Sequence, residues 1–505
     1  MRSLTVRLIF LALSLVPVCF APAAEGARRP NILFIFADDQ PDRVISCYEN
    51  AYPFARTPNI DRLAKEGVRF RECHTGSWCQ PSRTSFLTGR LQHAVQSVAI
   101  TTYPEASYDP AVDRFFPSVF RARGYWTGMI GKWHLGPDVG HGREWDWSVI
   151  WDRCGKANSF AYYENQLVRV QGKPNEPLGG YSTDRYTELA ETFLKESPRD
   201  KPWFLWLCYG AVHGPTTPAD RHKGIYQDEK VPVPADIFGP RPDAPTHFRE
   251  IDDWKPGPDG VPVLKKGRPL DKMVQQYQEC TLAVDEAVGR LMSLLEKSGQ
   301  LSNTVVVYVA DQGFALGQHG LTAKQQPYHA NIGAPCIVRF PARFPQGAVV
   351  NDPVTSADFA VTFHRLAGIE PAWKMHGRDL TPVLEAPGRN HLDHSLVLTS
   401  TSQDYGKAAV EQAARDSKDF TPKAGNGGNW LMLHDGQFKY IRRICKTGEE
   451  ELFDTRNDPD ESHNLAAKPE HRASLLRLRQ QLDQEMRSRL DGQALMDAIA
   501  IATPP

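Results

Sequence analysis

The chain has 505 residues, of which 41% are hydrophobic and 24% charged, with a formal net charge of −1. That length supports a large buried core and two domains. The near-zero charge supplies no basic field for nucleic acid, so any selectivity for anions has to be local.

The N-terminus carries Arg2 and Arg7 ahead of an apolar stretch from Leu8 to Phe20, and Ala21-Pro22-Ala23 fits a small-residue cleavage pattern. This predicts a signal peptide over residues 1–24 and a periplasmic or secreted protein. No later apolar stretch is long enough to span a bilayer. There are nine cysteines, of which Cys19 would leave with the signal peptide. Cys208, Cys280 and Cys336 lie in apolar or amphipathic segments and read as core thiols, so this is not a disulfide scaffold. The absence of any Asn-x-Ser/Thr sequon speaks for a bacterial periplasmic or secreted enzyme rather than a glycosylated lysosomal one.

Residues Asn31 to Ala37 form a nearly continuous apolar run, expected as a parallel strand buried on both faces. Asp38-Asp39-Gln40 follow at its carboxyl end. Two adjacent carboxylates after a buried strand are costly unless a positive group binds them, and a hard divalent cation does this well. Thr57 to Ala64 reads as a helix start. Cys79-Gln80-Pro81-Ser82-Arg83 then opens a second helix. Pro81 suits its first turn, where the missing N–H is unpaired anyway, and Gly89 suits its end. Cys79 therefore sits at a helix N-terminus, where anions are favoured and a depressed thiol pKa is expected. Arg83, one turn later, adds a fixed positive charge.

Tyr125 to Gly131 is strand-like and runs into Lys132-Trp133-His134. On an extended segment Lys132 and His134 point the same way. Residues 137–200 are less legible; Trp145, Trp147 and Trp151 read as packing, and Ser182 to Lys195 as a helix. Trp203 to Tyr209 is another buried strand, ending near His213-Gly214-Pro215. The Pro-rich stretch 214–270 reads as an excursion over one face. Cys280, Val284, Val288, Leu291 and Leu295 repeat at helical spacing, and Gly299 stops that helix. Val305 to Ala310 is the clearest strand, followed by Asp311-Gln312-Gly313 and, further on, Lys324. Beyond about Asp393 the strand–helix alternation weakens. Asp435-Gly436 marks a hairpin, and Leu475, Leu478, Leu482 and Met486 mark a last helix.

Four buried strands, ending near Ala37, Gly131, Tyr209 and Ala310, each release polar residues at the carboxyl end, where open α/β sheets bind ligands. That reasoning gathers Asp38, Asp39, Asp311, Gln312, Lys132, His134 and His213 on one edge, with Cys79 and Arg83 joining through the helix N-terminus.

The string Cys79-Gln80-Pro81-Ser82-Arg83-Thr84-Ser85-Phe86-Leu87-Thr88-Gly89-Arg90 resembles the type I sulfatase signature C-x-P-S-R-x-x-x-L-T-G-R at every fixed position. Thr57 to Ala64, Gly131 to Gly136 with Lys132 and His134, His213-Gly214-Pro215, and the segment from Asp311 through Leu316-Gly317-Gln318-His319-Gly320 to Lys324 are also similar to elements of that family. The likeness is strong from Asn31 to Lys324 and looser after. One departure is Gln312, which stands where the family usually has Asn or His; its amide oxygen can still ligate calcium.

The resemblance implies an alkaline phosphatase-like α/β fold, a large mostly parallel sheet flanked by helices. A smaller α+β C-terminal subdomain follows, with a catalytic domain over 25–390 and the subdomain over 391–505. It implies conversion of Cys79 to formylglycine by a maturation enzyme, and one calcium ion held by Asp38, Asp39, Asp311 and Gln312 beside residue 79. It implies sulfatase activity on a sulfated small molecule or glycan. The aldehyde hydrate would be the nucleophile, with Lys132, Lys324 and Arg83 neutralising charge. His213 or Lys324 would protonate the leaving oxygen, and His134 would take a proton from the second hydroxyl. Two other readings remain open: a phosphodiesterase or phosphonate monoester hydrolase of the same superfamily, and a non-catalytic binder of sulfated glycans with Cys79 unmodified.

Overall fold

The computed structural model describes residues 28–502, apart from 103–104, 250, 252, 390–395, 401–428 and 445–447. The expected signal peptide and the expected boundary near residue 390 lie outside the described residues. Among the described residues, no helix is long and apolar enough to cross a membrane, and the seven cysteines are all free thiols.

Ten strands form the main sheet. They are β1 (Asn31–Ala37), β2 (Val68–Phe70), β3 (Trp126–Lys132), β4 (Trp147–Trp151), β5 (Leu167–Val170), β6 (Asn175–Pro177), β7 (Trp203–Cys208), β8 (Thr304–Ala310), β9 (Cys336–Arg339) and β10 (Ala348–Val350). Their spatial order is β10-β2-β9-β8-β1-β7-β3-β4-β5-β6. The centre is parallel: β1 pairs with β7 and β8, β7 with β3, and β3 with β4. Antiparallel pairs β8–β9 and β4–β5 begin the two flanks.

The sequence of β1 explains its place. Alternate side chains of a strand face opposite sides. Leu33 and Ile35 enter one core, and Ile32, Phe34 and Phe36 enter the other. The first core is covered by α1 (Pro58–Lys65), α3 (Ser182–Glu196) and α4 (Leu270–Lys297), through residues such as Ile60, Phe193, Val284 and Leu291. The second is covered by α2 (Cys79–Thr88) and α5 (Ser356–Ala367). Phe86 of α2 meets Phe36 edge-on at 4.9 Å between centroids, and Phe359 of α5 at 5.1 Å. Trp145, Trp147 and Trp151 are buried, as packing requires.

One close approach fixes the middle of the sheet. Gly131 has φ +99, and a Cβ there would lie 1.9 Å from the carbonyl oxygen of Cys208. Only glycine fits both the conformation and the space.

A separate antiparallel sheet follows: β11 (Leu396–Ser400), β12 (Trp430–His434), β13 (Phe438–Arg443) and β14 (Glu450–Asp454). The Asp435-Gly436 turn joins β12 to β13, with Asp435 Oδ1 accepting the N–H of Phe438 at 2.7 Å. Helix α6 (Arg472–Ser488) lays Leu475, Leu478, Leu482 and Met486 against Leu431, Leu433, Tyr440 and Leu452. The stretch 137–200, opaque to periodicity, contains β4, β5 and β6. Two of them are short strands at the sheet edge, where burial is too incomplete to leave a pattern in the sequence.

Candidate active site

Because β3, β7, β1 and β8 are parallel neighbours, their carboxyl ends lie side by side. The ladder continues past the strands: Asp38 N–H donates to Ala211 O, Val212 N–H to Asp38 O, and Asp311 N–H to Ala37 O, at 2.9–3.0 Å. Asp39 has φ +55, which turns its N–H onto Asp311 Oδ1 at 2.9 Å. The two post-strand segments are thereby locked to each other.

Helix α2 brings Cys79 to this edge. Cys79 is its first residue, Pro81 lies in its first turn, and Gly89 closes it with φ +67. The helix is pinned by Ser82 Oγ, which donates to the carbonyl of Asp311, and by Thr75 Oγ1, which donates to the same oxygen at 2.6 Å. Cys79 Sγ sits 3.5 Å from Asp38 Oδ1, 3.8 Å from Asp39 Oδ1 and 3.0 Å from Lys324 Nζ. Lys132, the last residue of β3, donates to Asp38 Oδ2. Lys324 donates to both oxygens of Asp39 at 2.6 and 2.8 Å. Gln312 Nε2 donates to Asp39 Oδ1, whereas its buried Oε1 has no hydrogen-bond partner.

Arg83 is fully buried, and both its ends are engaged: Nη1 donates to Lys132 O at 2.7 Å, and Nε and Nη2 donate to Asp311 Oδ2 at 3.2 and 3.1 Å. Its guanidinium thus orients Asp311 and the end of β3.

His134 has φ +62, so the two-residue alternation expected with Lys132 stops where β3 ends. Its Nε2 lies 2.9 Å from Arg153 Nη1. Arginine can only donate, so the imidazole accepts and is neutral. Burial first, and Arg153 next, hold its pKa well below the ordinary value. His213 donates Nδ1–H to Gly214 O at 2.6 Å, which leaves Nε2 to accept from Tyr162 at 3.1 Å. Its ring stacks on Tyr162 at 4.0 Å between centroids. Burial drives its pKa down to about 3.

The carboxylates are driven apart electrostatically. Burial and the Asp38 charge push Asp311 up to about 7. Burial acts on Asp38 too, but Lys132, His213 and Arg83 outweigh it and hold that carboxyl well below the usual range. The thiol departs from expectation. Cys79 was expected to be depressed by the helix N-terminus, yet burial and the adjacent Asp38 push it up to about 11. Full desolvation next to a carboxylate exceeds the pull of the helix dipole and the lysines.

All the residues expected from the sequence therefore meet here: Asp38, Asp39, Cys79, Arg83, Lys132, His134, His213, Asp311, Gln312 and Lys324. Three were not foreseen. Arg153 and Tyr162 follow β4, a buried strand whose carboxyl end carries the same signal as the other four. Thr75 lies in the segment entering α2.

The oxygens of Asp38 and Asp39 lie together beside Cys79 and His213, and with Asp311, bound to the Asp39 N–H, and the orphaned Gln312 Oε1 they make a hard donor set that fits a divalent cation such as calcium. A half-turn of the Gln312 amide aims that oxygen at the cluster.

Fold and site together define a hydrolase of the open α/β type, with a cluster of carboxylates and cations at the carboxyl edge of its sheet. The chain belongs to the sulfatase family, whose model matches residues 30–369; it is a sulfuric ester hydrolase. An N-acetylglucosamine-6-O-sulfatase of Bacteroides thetaiotaomicron is 30% identical, over 96% of this chain and 91% of that protein. Human N-acetylglucosamine-6-sulfatase is 28% identical, over 72% of this chain and 65% of that protein. A solved structure in complex with its substrate D-glucosamine-2-N,6-O-disulfate superposes with a TM-score of 0.74 at 27% identity, covering 92% of this chain and all of that one. The phosphonate monoester hydrolase of Agrobacterium radiobacter shares the fold at a TM-score of 0.69 and 19% identity, covering 92% of this chain and 96% of that one.

Proposed function

We propose that the protein removes sulfate from a sulfated amino sugar or glycan, with residue 79 acting as formylglycine and one calcium ion in the carboxylate cluster. The glucosamine sulfate substrates named for the similar proteins support this substrate class. The observation that carries the mechanism is the convergence on Cys79 Sγ of Asp38, Asp39 and Lys324 at 3.5, 3.8 and 3.0 Å, where burial and Asp38 also push the thiol up to about 11. As a cysteine, residue 79 would be protonated and a poor nucleophile at neutral pH. The hydrate of an aldehyde at this position supplies one hydroxyl to attack sulfur and a second whose deprotonation later expels sulfate. Calcium, held by Asp38, Asp39, Asp311 and Gln312, would supply charge neutralisation for the sulfate oxygens.

The chain's own residues do the rest. Lys132 on Asp38 and Lys324 on Cys79 Sγ bring two ammonium groups to the site, where they would stabilise negative charge in the transition state. Of the two candidate acids, Lys324 holds a proton: burial pulls its pKa down, but the acidic groups around it, Asp39 foremost, outweigh burial and hold it well above the ordinary value. His213 is neutral, with its one N–H committed to Gly214 O. We therefore assign the leaving-group proton to Lys324 and an orienting role to His213 and Tyr162. We assign to His134, neutral through burial and Arg153, the proton of the second hydroxyl, which it would accept once its lone pair exchanges Arg153 for that hydroxyl. Arg83 positions Asp311.

The test pairs mass analysis with turnover. After alkylation, the peptide carrying residue 79 should resist labelling, and sulfate should be released from glucosamine-6-sulfate within a panel of sulfated mono- and oligosaccharides. An alkylated Cys79 without turnover would favour a glycan-binding protein. Comparable rates on phosphate diesters or phosphonate monoesters would favour the superfamily alternative.

A further inference from the structure

A second cluster of metal-type ligands stands five residues upstream of Cys79. Glu72 Oε2, His74 Nε2 and His329 Nδ1 form a triangle with edges of 3.3 Å (His329–Glu72), 3.3 Å (His329–His74) and 3.6 Å (His74–Glu72). For metal–ligand bonds of about 2.0–2.1 Å, a regular tetrahedron places its ligands about 3.3–3.4 Å apart, and an octahedron about 2.9 Å. The observed edges match the tetrahedral case.

The surroundings are those of a metal site. The other nitrogen of His329, Nε2, donates to Asp42 Oδ2 at 2.8 Å, and Asn50 donates to Asp42 Oδ1 at 3.0 Å. This is the carboxylate–histidine–metal relay that fixes a ligand's tautomer and orientation. His74 is fully buried, and its Nδ1 has no hydrogen-bond partner. The nearby ammonium of Lys439 is taken by Glu461 and by Pro327 O, so it does not fill the triangle. His434 packs against His74 at 5.9 Å between ring centroids without entering the ligand set. The backbone is rigid: His74 bridges to Gly333, and Ala334 N–H donates to Cys73 O at 2.9 Å. Glu72 and His329 are each slightly exposed, which leaves a route for an ion and for a water as fourth ligand.

We propose that Glu72, His74 and His329 bind a tetrahedral divalent transition metal, zinc by preference, oriented by Asp42. Two imidazoles and one carboxylate select zinc or cobalt over calcium. The site joins the entry to α2 with the short helix His329–Ile332. Glu461, from the C-terminal region, caps that helix by accepting the His329 N–H at 2.6 Å. Metal there would tie the entry to α2 to that helix.

The experiment is a cobalt titration of the full-length, calcium-loaded protein after chelation of other metals. One equivalent of Co²⁺ should produce the intense visible bands of tetrahedral cobalt, and Zn²⁺ should abolish them. Glu72→Gln, which keeps volume, and His329→Gln should each weaken Co²⁺ at least about 100-fold, and Asp42→Asn about 10–100-fold. If His329→Gln does not fold, Glu72→Gln decides alone. The proposal is overturned by the absence of tetrahedral bands, by bands that survive Glu72→Gln, or by bands lost in Asp38→Asn. That last result would put the cobalt in the carboxylate cluster of the active site.

Discussion

Two clusters flank the segment between β2 and α2, and they solve the burial of charge in opposite ways. Around Cys79, three carboxylates are met by the chain's own cations, Lys132, Lys324 and Arg83. Around His74, two carboxylates meet imidazoles, and the one nearby lysine is already paired. The first arrangement keeps hard oxygen donors and fixed positive charge where the proposed reaction would hold a sulfate. The second presents nitrogen donors with no competing ammonium, which suits a softer ion. The difference lies in donor chemistry and in access: Asp38 and Asp311 are fully buried, whereas Glu72 and His329 are slightly exposed.

The largest expected effect breaks the first cluster at its centre. Cys79→Ser changes volume little, so the fold should persist, while steady sulfate release at saturating calcium should fall roughly a thousandfold or more. A serine lacks the second hydroxyl that expels sulfate. Cys79→Ala should abolish even a single sulfuryl transfer. Steady turnover by the serine variant near the wild-type rate would replace the formylglycine reading with a metal-hydroxide hydrolase using the same carboxylates.

Next in size is the contrast within the donor set. Asp38→Ala removes a charge and leaves Lys132 unpaired and buried, so calcium affinity should fall by about 100-fold or more. Gln312→Ala removes only a dipole and should cost about tenfold. Isothermal titration with calcium distinguishes the two, and equal losses would remove Gln312's claim to be a weak ligand.

The ordering of these effects was legible before any coordinates. The aspartates after β1 and β8, Lys132 after β3 and His213 beyond β7 follow from apolar runs that end in polar residues, and the parallel order of those strands gathers them. What stayed hidden has physical causes. Arg153 follows β4, whose WSVIW run sits among loops and edge strands and does not stand out by periodicity. The thiol shift could not be read because helix position is visible in sequence, whereas desolvation by neighbouring strands is not. The His74–His329 pairing joins residues far apart in the chain, and no spacing rule connects them.

A smaller effect sharpens the comparison from the other side. Zinc at about 100 times its dissociation constant should stabilise the native protein by about 2.7 kcal/mol, and Glu72→Gln should remove that gain. Calcorimetric melts with zinc, with calcium and with chelator separate the two clusters, because calcium should stabilise the Glu72→Gln variant as it does the parent.

The smallest effect belongs to an imidazole pair with no carboxylate at all. His93 and His376 stack at 5.1 Å between ring centroids, and His376 Nδ1 accepts the N–H of Leu91 at 3.0 Å. Burial pushes His93 down to about 4 and His376 down to about 2. Both are neutral in the fold, whereas the unfolded chain titrates near the ordinary 6.5. Above that pH the pair contributes no pH dependence. As pH falls from 6.5 towards 4, the unfolded state binds protons first and stability drops, by up to about 1.4 kcal/mol per pH unit for each histidine. His376→Gln should make this acid limb shallower, read as urea midpoints at pH 7, 6 and 5. An unchanged slope would show that other groups govern it.

Every residue of α2, from Cys79 to Thr88, is buried. A folded chain therefore shows none of that string to another protein, and any enzyme that rewrites residue 79 has to reach it while the chain is still open. With formylglycine at residue 79, as proposed, maturation would be a race between two clocks, the arrival of the modifying enzyme and the closing of the sheet over the helix. Molecules that fold first would be sealed with a thiol and have no later route to the proposed aldehyde. Specific activity of a preparation would then record the circumstances of its synthesis, and slowing translation or lowering the growth temperature would raise it without changing a single residue.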